Sequence, residues 1–467
     1  MNGRTKYLIK NIGILTLSNF ATKILVFLLV PLYTSVLSTE EYGIYDMVVA
    51  TAQLLFPLFS LNIVDAVMRF TMDESKNRDQ IATIGFGFVL FSMLPVTVFL
   101  VAEKFFGFVS AIDDYLLLVF LYYVFYALYQ YCVQLAKGKE RVADMGIAGV
   151  LGIAVLIVGN IVFLLLYKVG LRGFFYANVL AQMIPTLYLG YRLKIWRYTG
   201  LQTIDKATKR EMLNYCLPLI FTTVTWWVNN ASDRYVVTII LGAAANGLLS
   251  VAYKIPSILN TVQQIFVQAW QISAIKEYNG NKSKEFYGTA FSNMNIVMCL
   301  CCLLLFIALR TIAPFLFKKD FLDAWRYVPF LLLAGVFNSA SGFMGPILLA
   351  RKDSKGMAKS AICGSILNIP LNIVLAFLIG IQGVTIATAA SSLVIYLIRR
   401  IEVRDDIVVS SEWKIYGSWL IIMLYAILVI FEAPIVFQIC PVAGFILINI
   451  AQIKGIINVF AKMTRRR

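Results

Sequence analysis

Four basic side chains stand inside stretches otherwise apolar enough to cross a bilayer: Lys23, Arg69, Arg234 and Lys254. Lys23 lies about eleven residues into its stretch, roughly 16 Å at 1.5 Å per residue, close to the bilayer midplane. A lysine at that depth costs on the order of 3 kcal/mol on insertion scales, so it is expected to face a wet cavity or a partner. Each charge extends a polar stripe. The first carries Thr16, Asn19 and Lys23, and the second Asn62, Asp65 and Arg69, both at i, i+3, i+7. The third carries Thr222, Thr225, Asn229 and Asp233, just before Arg234. The longest runs through Lys254, Ser257, Thr261, Gln264, Gln268 and Gln271, a period that puts all six on one helix face. Four such stripes would line one large hydrophilic cleft, and its cations would attract an anionic substrate.

Each of these residues also has a plainer reading. Asp65 and Arg69, at i and i+4, would neutralise one another. Arg69 and Arg234 would snorkel to an interface. Stripes of Ser, Thr and Gln would pack helix against helix. Lys23 and Lys254 resist this reading best, because neither has an acidic residue at i±3 or i±4. Asp65 and Asp233 suit the binding of a coupling proton or sodium ion, and equally the role of a structural counter-ion. Trp226 and Trp227 fall near the middle of one stretch, where they would stack on a ligand or, more simply, pack in the core. Trp196, Trp325 and Trp413 fall at expected interfaces, where belt tryptophans belong. Prolines at Pro31, Pro57, Pro185, Pro218, Pro256 and Pro370 lie within spans and would bend them.

The elements that hold these residues follow from composition. The 467 residues are 60% hydrophobic and only 14% charged, against roughly a quarter charged in ordinary soluble chains. There is no histidine, which excludes imidazole bases, His metal ligands and Ser-His or Cys-His nucleophiles. It also leaves any proton coupling to carboxylates. Three of the seven cysteines sit in an apolar run and the rest are scattered, which suggests neither a disulfide framework nor a metal or redox centre; no cofactor is implied. The class is an all-α polytopic membrane protein. Fourteen helical spans fit, near residues 12–37, 43–69, 80–102, 115–136, 145–167, 173–191, 213–241, 246–272, 287–309, 327–350, 360–379, 381–398, 415–431 and 435–453. With the N-terminus inside, the loops on the cytoplasmic side collect 30 basic residues and the opposite side 7. This bias predicts an even span number and two cytoplasmic termini. Most of the net +16 is therefore a topology signal and an attraction to anionic headgroups, not a nucleic-acid patch.

The two halves echo each other. VLSTEEYGIYDMV (Val36 to Val48) and ILGAAANGLLSVA (Ile240 to Ala252) occupy equivalent turns 204 residues apart. GNIVF (Gly159 to Phe163) matches LNIVL (Leu371 to Leu375), and GLRGFFYANVLAQ (Gly170 to Gln182) matches GIQGVTIATAASS (Gly380 to Ser392). The repeat unit is thus six spans, related by an axis along the membrane normal, with two spans left over. The expected organisation is an N-terminal lobe over 1–195, a basic cytoplasmic linker over 196–212, a C-terminal lobe over 213–403, and two extra helices with a basic tail over 404–467. Two same-way-up bundles suit an alternating-access transporter better than a pore. No phosphate-binding loop or large soluble domain is present to make it an ATPase.

Three segments carry a family resemblance: LVPLYTSVLSTEEYGIYD (Leu29 to Asp46), NNASDRYVVTIILGAAANGLLSVAYKIPSIL (Asn229 to Leu259) and FVQAWQISAIKEY (Phe266 to Tyr278). The chain resembles the lipid-linked oligosaccharide flippases of polysaccharide export, within the multidrug/oligosaccharidyl-lipid/polysaccharide exporter superfamily. The resemblance implies two six-helix lobes in a V, a central cationic cavity, and movement of an undecaprenyl-diphosphate-linked repeat unit between leaflets of the bacterial cytoplasmic membrane. Polymerase and other polysaccharide-assembly proteins are the partners it implies, and no bond in the cargo is made or broken. Lys23, Arg69, Arg234 and Lys254 would then receive the diphosphate and acidic sugars. Asn19, Asn229, Gln264, Gln268, Trp226 and Trp227 would take the neutral sugars. Two alternatives lie in the same superfamily: a cation-coupled drug antiporter, which would want an acidic cavity, and a peptidoglycan-precursor flippase, which would want more arginine in its first span. A membrane polysaccharide polymerase or glycosyltransferase is the enzymatic alternative, disfavoured by the short outer loops.

Overall fold

The computed structural model describes residues 25, 27–73, 75–107, 109–198, 205–277, 283–351 and 353–464. A few side chains within those helices, Trp226 and Asn229 among them, fall outside the described set. Without water in the hydrocarbon core, a spanning segment must satisfy its own backbone groups, and the described residues accordingly form helices and no strand. The helices are α1 (Val30–Val36), α2 (Thr39–Phe59), α3 (Ile63–Thr71), α4 (Arg78–Phe91), α5 (Met93–Phe106), α6 (Leu116–Gly138), α7 (Val142–Asn160) and α8 (Leu171–Leu193). They continue with α9 (Lys206–Leu241), α10 (Ala243–Ala252), α11 (Pro256–Glu277), α12 (Ser283–Leu316), α13 (Val328–Ala350), α14 (Ser354–Glu402), α15 (Glu412–Ile430) and α16 (Ile435–Thr464). A π-helical turn, Ile161–Leu166, extends α7, and a 3₁₀ turn, Ile195–Tyr198, follows α8.

Nine described segments are long and apolar enough to cross a membrane, so the chain is a multi-pass membrane protein. They hold ten of the expected spans, because Lys355–Glu402 carries two. Three more, on α8, α9 and α10–α11, are the less apolar ones that bear amides and charges. Most of the first span, with Asn19 and Lys23, lies outside the described residues. Two expected spans are broken. The second parts at Leu61 and Asn62, both with positive φ (51° and 52°), four and five residues after Pro57. The eighth parts at Tyr253 to Ile255, where Pro256 cannot donate to the preceding turn and starts a new helix.

The chain folds as two compact units, Met1–Ala231 and Ser232–Arg467, that divide within α9. In the N-terminal unit α8 packs along α6 and α7, and α3 along α6. In the C-terminal unit α13 is the buried centre, packed by α11 and α14, with α15 and α16 pairing against α12 and α13. The repeated turns are built alike. Gly170 (φ 63°, ψ −141°) and Gly380 (φ 65°, ψ −145°) adopt the same conformation, which a side chain would disfavour. At the other repeated turn Ser38 caps α2 and Gly242 holds the corresponding position before α10. Ser38 is part of a full capping box: its Oγ accepts from the Glu41 amide at 3.1 Å and its amide donates to Glu41 Oε2 at 2.8 Å. Cys299, Cys301 and Cys302 lie on α12, and all seven cysteines are free.

Candidate functional site

In the C-terminal unit the polar residues converge on Asp233. Its carboxylate, on the last third of α9, is 2% exposed. Asn372 Nδ2 donates to Oδ1 at 2.6 Å, while the Tyr253 hydroxyl and Thr388 Oγ1 donate to Oδ2 at 2.7 and 2.8 Å. The cage extends outward, since Asn372 also donates to Asn368 Oδ1 at 2.8 Å and Asn368 Nδ2 donates to Ser391 Oγ at 3.1 Å. Ser232 Oγ donates to the same Asn368 oxygen at 3.3 Å. Four chain segments thus meet on one acid: α9, the end of α10, and the two limbs of α14 on either side of its Gly380 bend. A buried carboxylate is sustained by such donors. It is also an oxygen-rich setting for a small hard cation, whose ligands would be the carboxylate and the neighbouring hydroxyl and amide oxygens.

Arg234 follows directly on α9 and is half-buried; its carbonyl accepts from Thr238 Oγ1 at 2.7 Å. Lys254 lies in the break between α10 and α11, its own carbonyl accepting from Ser257 Oγ at 2.6 Å. Below it α11 is two-faced. Leu259, Gln263 and Trp270 meet α13: Leu259 abuts Gly335, Gln263 Nε2 donates to Asn338 O at 3.0 Å, and Trp270 Nε1 donates to Phe343 O at 2.9 Å. The other face carries Ser257, Gln264, Gln268 and Gln271, all exposed within the unit, and buried Thr261. Four of the six stripe residues are thus exposed away from α13, while Thr261 is buried and Lys254 stands in the break before the helix.

The N-terminal unit treats its acid differently. Asp65 does not pair with Arg69. Its oxygens accept from Asn62 Nδ2 at 2.8 Å and from Gln134 Nε2 on α6 at 3.2 Å, while Arg69 is exposed in the last turn of α3. The basic side chain at a helix C-terminus complements the backbone dipole. Trp227 is a packing anchor: it is 9% exposed and its Nε1 donates to Ala50 O on α2 at 2.9 Å. Trp226 and Asn229 sit on the α9 backbone, but their side chains, like Lys23 and Asn19, lie outside the described residues.

Sequence reasoning missed Tyr253, Asn368, Asn372, Thr388 and Ser391. The signal was present in the repeat, where the match of GNIVF to LNIVL superposes Asn160 on Asn372. Asn160 is 1% exposed, and among the described residues its amide oxygen and nitrogen meet no hydrogen-bond partner. A second asparagine buried at the equivalent place marks that position as more than packing.

Residues 8–271 match a family described as "Polysaccharide biosynthesis protein". The chain belongs to this family. Solved structures share its fold. A lipid II flippase, MurJ, in an inward closed conformation superposes with a TM-score of 0.67 at 15% identity, covering 96% of this chain and 98% of that one. An inward-facing MATE family multidrug resistance transporter of the MOP superfamily gives 0.64 at 14% identity, over 82% and 95%. A MOP superfamily transporter from Pyrococcus furiosus, noted for the reverse polarity of its binding pocket, gives 0.54 at 14% identity, over 84% and 93%. No curated protein matches the sequence. Family and fold together make this a polytopic transporter-fold protein of polysaccharide biosynthesis.

Proposed function

We propose that the chain is a secondary transporter that flips an undecaprenyl-diphosphate-linked oligosaccharide repeat unit from the inner to the outer leaflet. The product would feed assembly of capsule, O-antigen or a related polymer at the bacterial plasma membrane. In this reading both termini are cytoplasmic, the two repeats form six-helix lobes, and alternating access moves the cargo through a cationic cavity. The observation that carries the proposal is Lys254: a cation set at a helix break within a membrane span, above an exposed face of Ser257, Gln264, Gln268 and Gln271. A diphosphate would meet Lys254 together with Lys23, Arg69 and Arg234, and the amides would take sugar hydroxyls while the polyprenyl tail stays in lipid. A drug antiporter would have no use for such cations. The likeness to a lipid II flippase supports a polyprenyl-linked cargo, and membership of a polysaccharide biosynthesis family favours polysaccharide over peptidoglycan assembly.

Transport would be driven by an ion gradient, by membrane potential or by consumption of the product, and for an ion Asp233 is the better candidate of the two acids. Its oxygens accept from both limbs of α14, so a cation or proton there would compete with those bonds and loosen the limbs from one another. Among the described residues Asp65 accepts from its own helix start and from α6. The test is complementation of a flippase-null strain with Lys23→Ala, Lys254→Ala and the double variant at equal membrane abundance. Loss of polymer export is expected from each. Full rescue by all three would reject the assignment.

A further inference from the structure

At one end of the N-terminal unit three segments meet: the turn from α6 to α7, the last turn of α8, and the 3₁₀ turn Ile195–Tyr198. Arg141 Nη1 donates to Arg192 O at 2.6 Å and stands 3.6 Å from Asp144 Oδ2. Arg192 Nε donates to Asp144 Oδ1 at 2.9 Å, and the Tyr188 hydroxyl donates to the same oxygen at 3.1 Å. Two arginines therefore share one buried carboxylate. Both remain open to solvent, with 43% and 51% of their side chains exposed, so one positive charge and several guanidinium N–H groups are left over. Lys194 and Arg197 are exposed beside them, and among the described residues neither forms an ion pair. An aromatic pair completes the patch: Tyr191 and Trp196 are 73% and 55% exposed with ring centroids 6.0 Å apart.

Surplus guanidinium donors fit phosphate oxygens, and exposed Tyr and Trp at the end of a spanning helix belong at the headgroup level of a bilayer. We infer that this patch is a docking site for the phosphate of an anionic phospholipid, held by Arg141 and Arg192 with Lys194 and Arg197 alongside and Trp196 and Tyr191 seated among the headgroups. A soluble anion would gain nothing from the aromatic pair, which is why a bilayer lipid is the occupant. The site is separate from the α9–α11 residues proposed to handle cargo and does not depend on that reading.

The test uses purified full-length protein in a neutral detergent, with its melting temperature followed as short-chain phosphatidylglycerol or phosphatidylcholine of identical acyl length is added. Phosphatidylglycerol should raise the melting temperature further than phosphatidylcholine. Arg141→Gln with Arg192→Gln should abolish the difference, but it strips Asp144 of its counter-charges and risks misfolding. The deciding variant is therefore Lys194→Gln/Arg197→Gln/Trp196→Ala, which leaves Asp144 paired and should lose most of the difference. Lys104→Gln, an exposed lysine at the far end of α5, should keep it. Equal shifts from the two lipids, or an undiminished difference in the triple variant, would overturn the inference. So would a shift of the same size from inorganic phosphate or from an acidic peptide, since either would make the patch a general anion site.

Discussion

Asp233→Ala should destabilise the protein chiefly through the tyrosine it abandons. The three donors on Asp233 are not equivalent. Asn372 keeps its bond to Asn368 Oδ1 at 2.8 Å, and Thr388 Oγ1 can turn its one proton to Val384 O at 2.9 Å. The Tyr253 hydroxyl, 2.7 Å from Asp233 Oδ2, loses the acceptor it donates to. A buried hydroxyl left without an acceptor costs about 1–3 kcal/mol, whereas removing both partners of a bond costs little more than the first removal. The double variant Asp233→Ala/Tyr253→Phe should therefore be no less stable than Asp233→Ala alone. The double-mutant cycle should return a coupling energy of about 1–3 kcal/mol. Denaturant unfolding of the purified chain in detergent, followed by tryptophan fluorescence, gives the four stabilities. The same variants separate folding from coupling: the double variant lacks the carboxylate, so its polymer export should stay lost. Additive stabilities, with coupling below about 0.5 kcal/mol, would refute the role of this bond. Restored export in the double variant would refute Asp233 as the coupling group.

Ser38→Ala removes one half of a capping box and should cost about 1 kcal/mol, read as faster amide exchange at Glu41 and the first turn of α2. Gly383→Ala would set a Cβ 2.1 Å from Leu375 O, a backbone atom that cannot swing aside, so the Gly380 bend must open. A loss of about 1–3 kcal/mol is expected, while Gly417→Ala, inside α15 with open space around it, should show no loss and gain up to about 1 kcal/mol by the same unfolding measurement. Two helix starts should be acid-sensitive. The Thr208 hydroxyl and the Ala207 and Thr208 amides hold the Asp205 carboxyl below its usual range at the head of α9. The Gly356 amide, then Arg351, does the same for Asp353 at the head of α14. Depressed carboxylates contribute stability that is full above their unfolded value, near pH 4, and vanishes as pH falls through the lower folded value. Amide exchange in these first turns should thus be flat from about pH 7 to 5, after correction for intrinsic rate, and rise below about pH 4.

What could be read from the sequence and what could not divides along the distance between partners. Residues on one helix were legible: the spacing of Ser257, Gln264, Gln268 and Gln271 fixes a face without knowledge of any neighbour, and α11 presents that face away from α13. Pro256 announced the break beside Lys254, though not that the span would divide there into two helices. The Asp65–Arg69 pairing, by contrast, looked plausible only because i, i+4 is the one pairing a sequence displays. The structure gives Asp65 a local donor, Asn62, and a second, Gln134, that is 69 residues away and on another helix. The Asp233 cage is harder still, with Asn372 and Thr388 lying 139 and 155 residues along the chain. Uncharged asparagine and threonine in apolar stretches do not stand out singly, and only the repeat, by setting Asn160 on Asn372, marked one of them in advance.

The central claim is that this protein moves a lipid-linked oligosaccharide intact across a bilayer, and reconstitution tests it most directly. Purified chain in proteoliposomes would be given an undecaprenyl-diphosphate oligosaccharide with a fluorescent sugar, and the fraction quenched by an impermeant external reagent followed over time under an imposed ion gradient. The account predicts protein-dependent movement of uncleaved cargo, lost in Lys254→Ala and insensitive to the gradient in Asp233→Asn. Movement at the protein-free rate, or cargo recovered cleaved or polymerised, would contradict it.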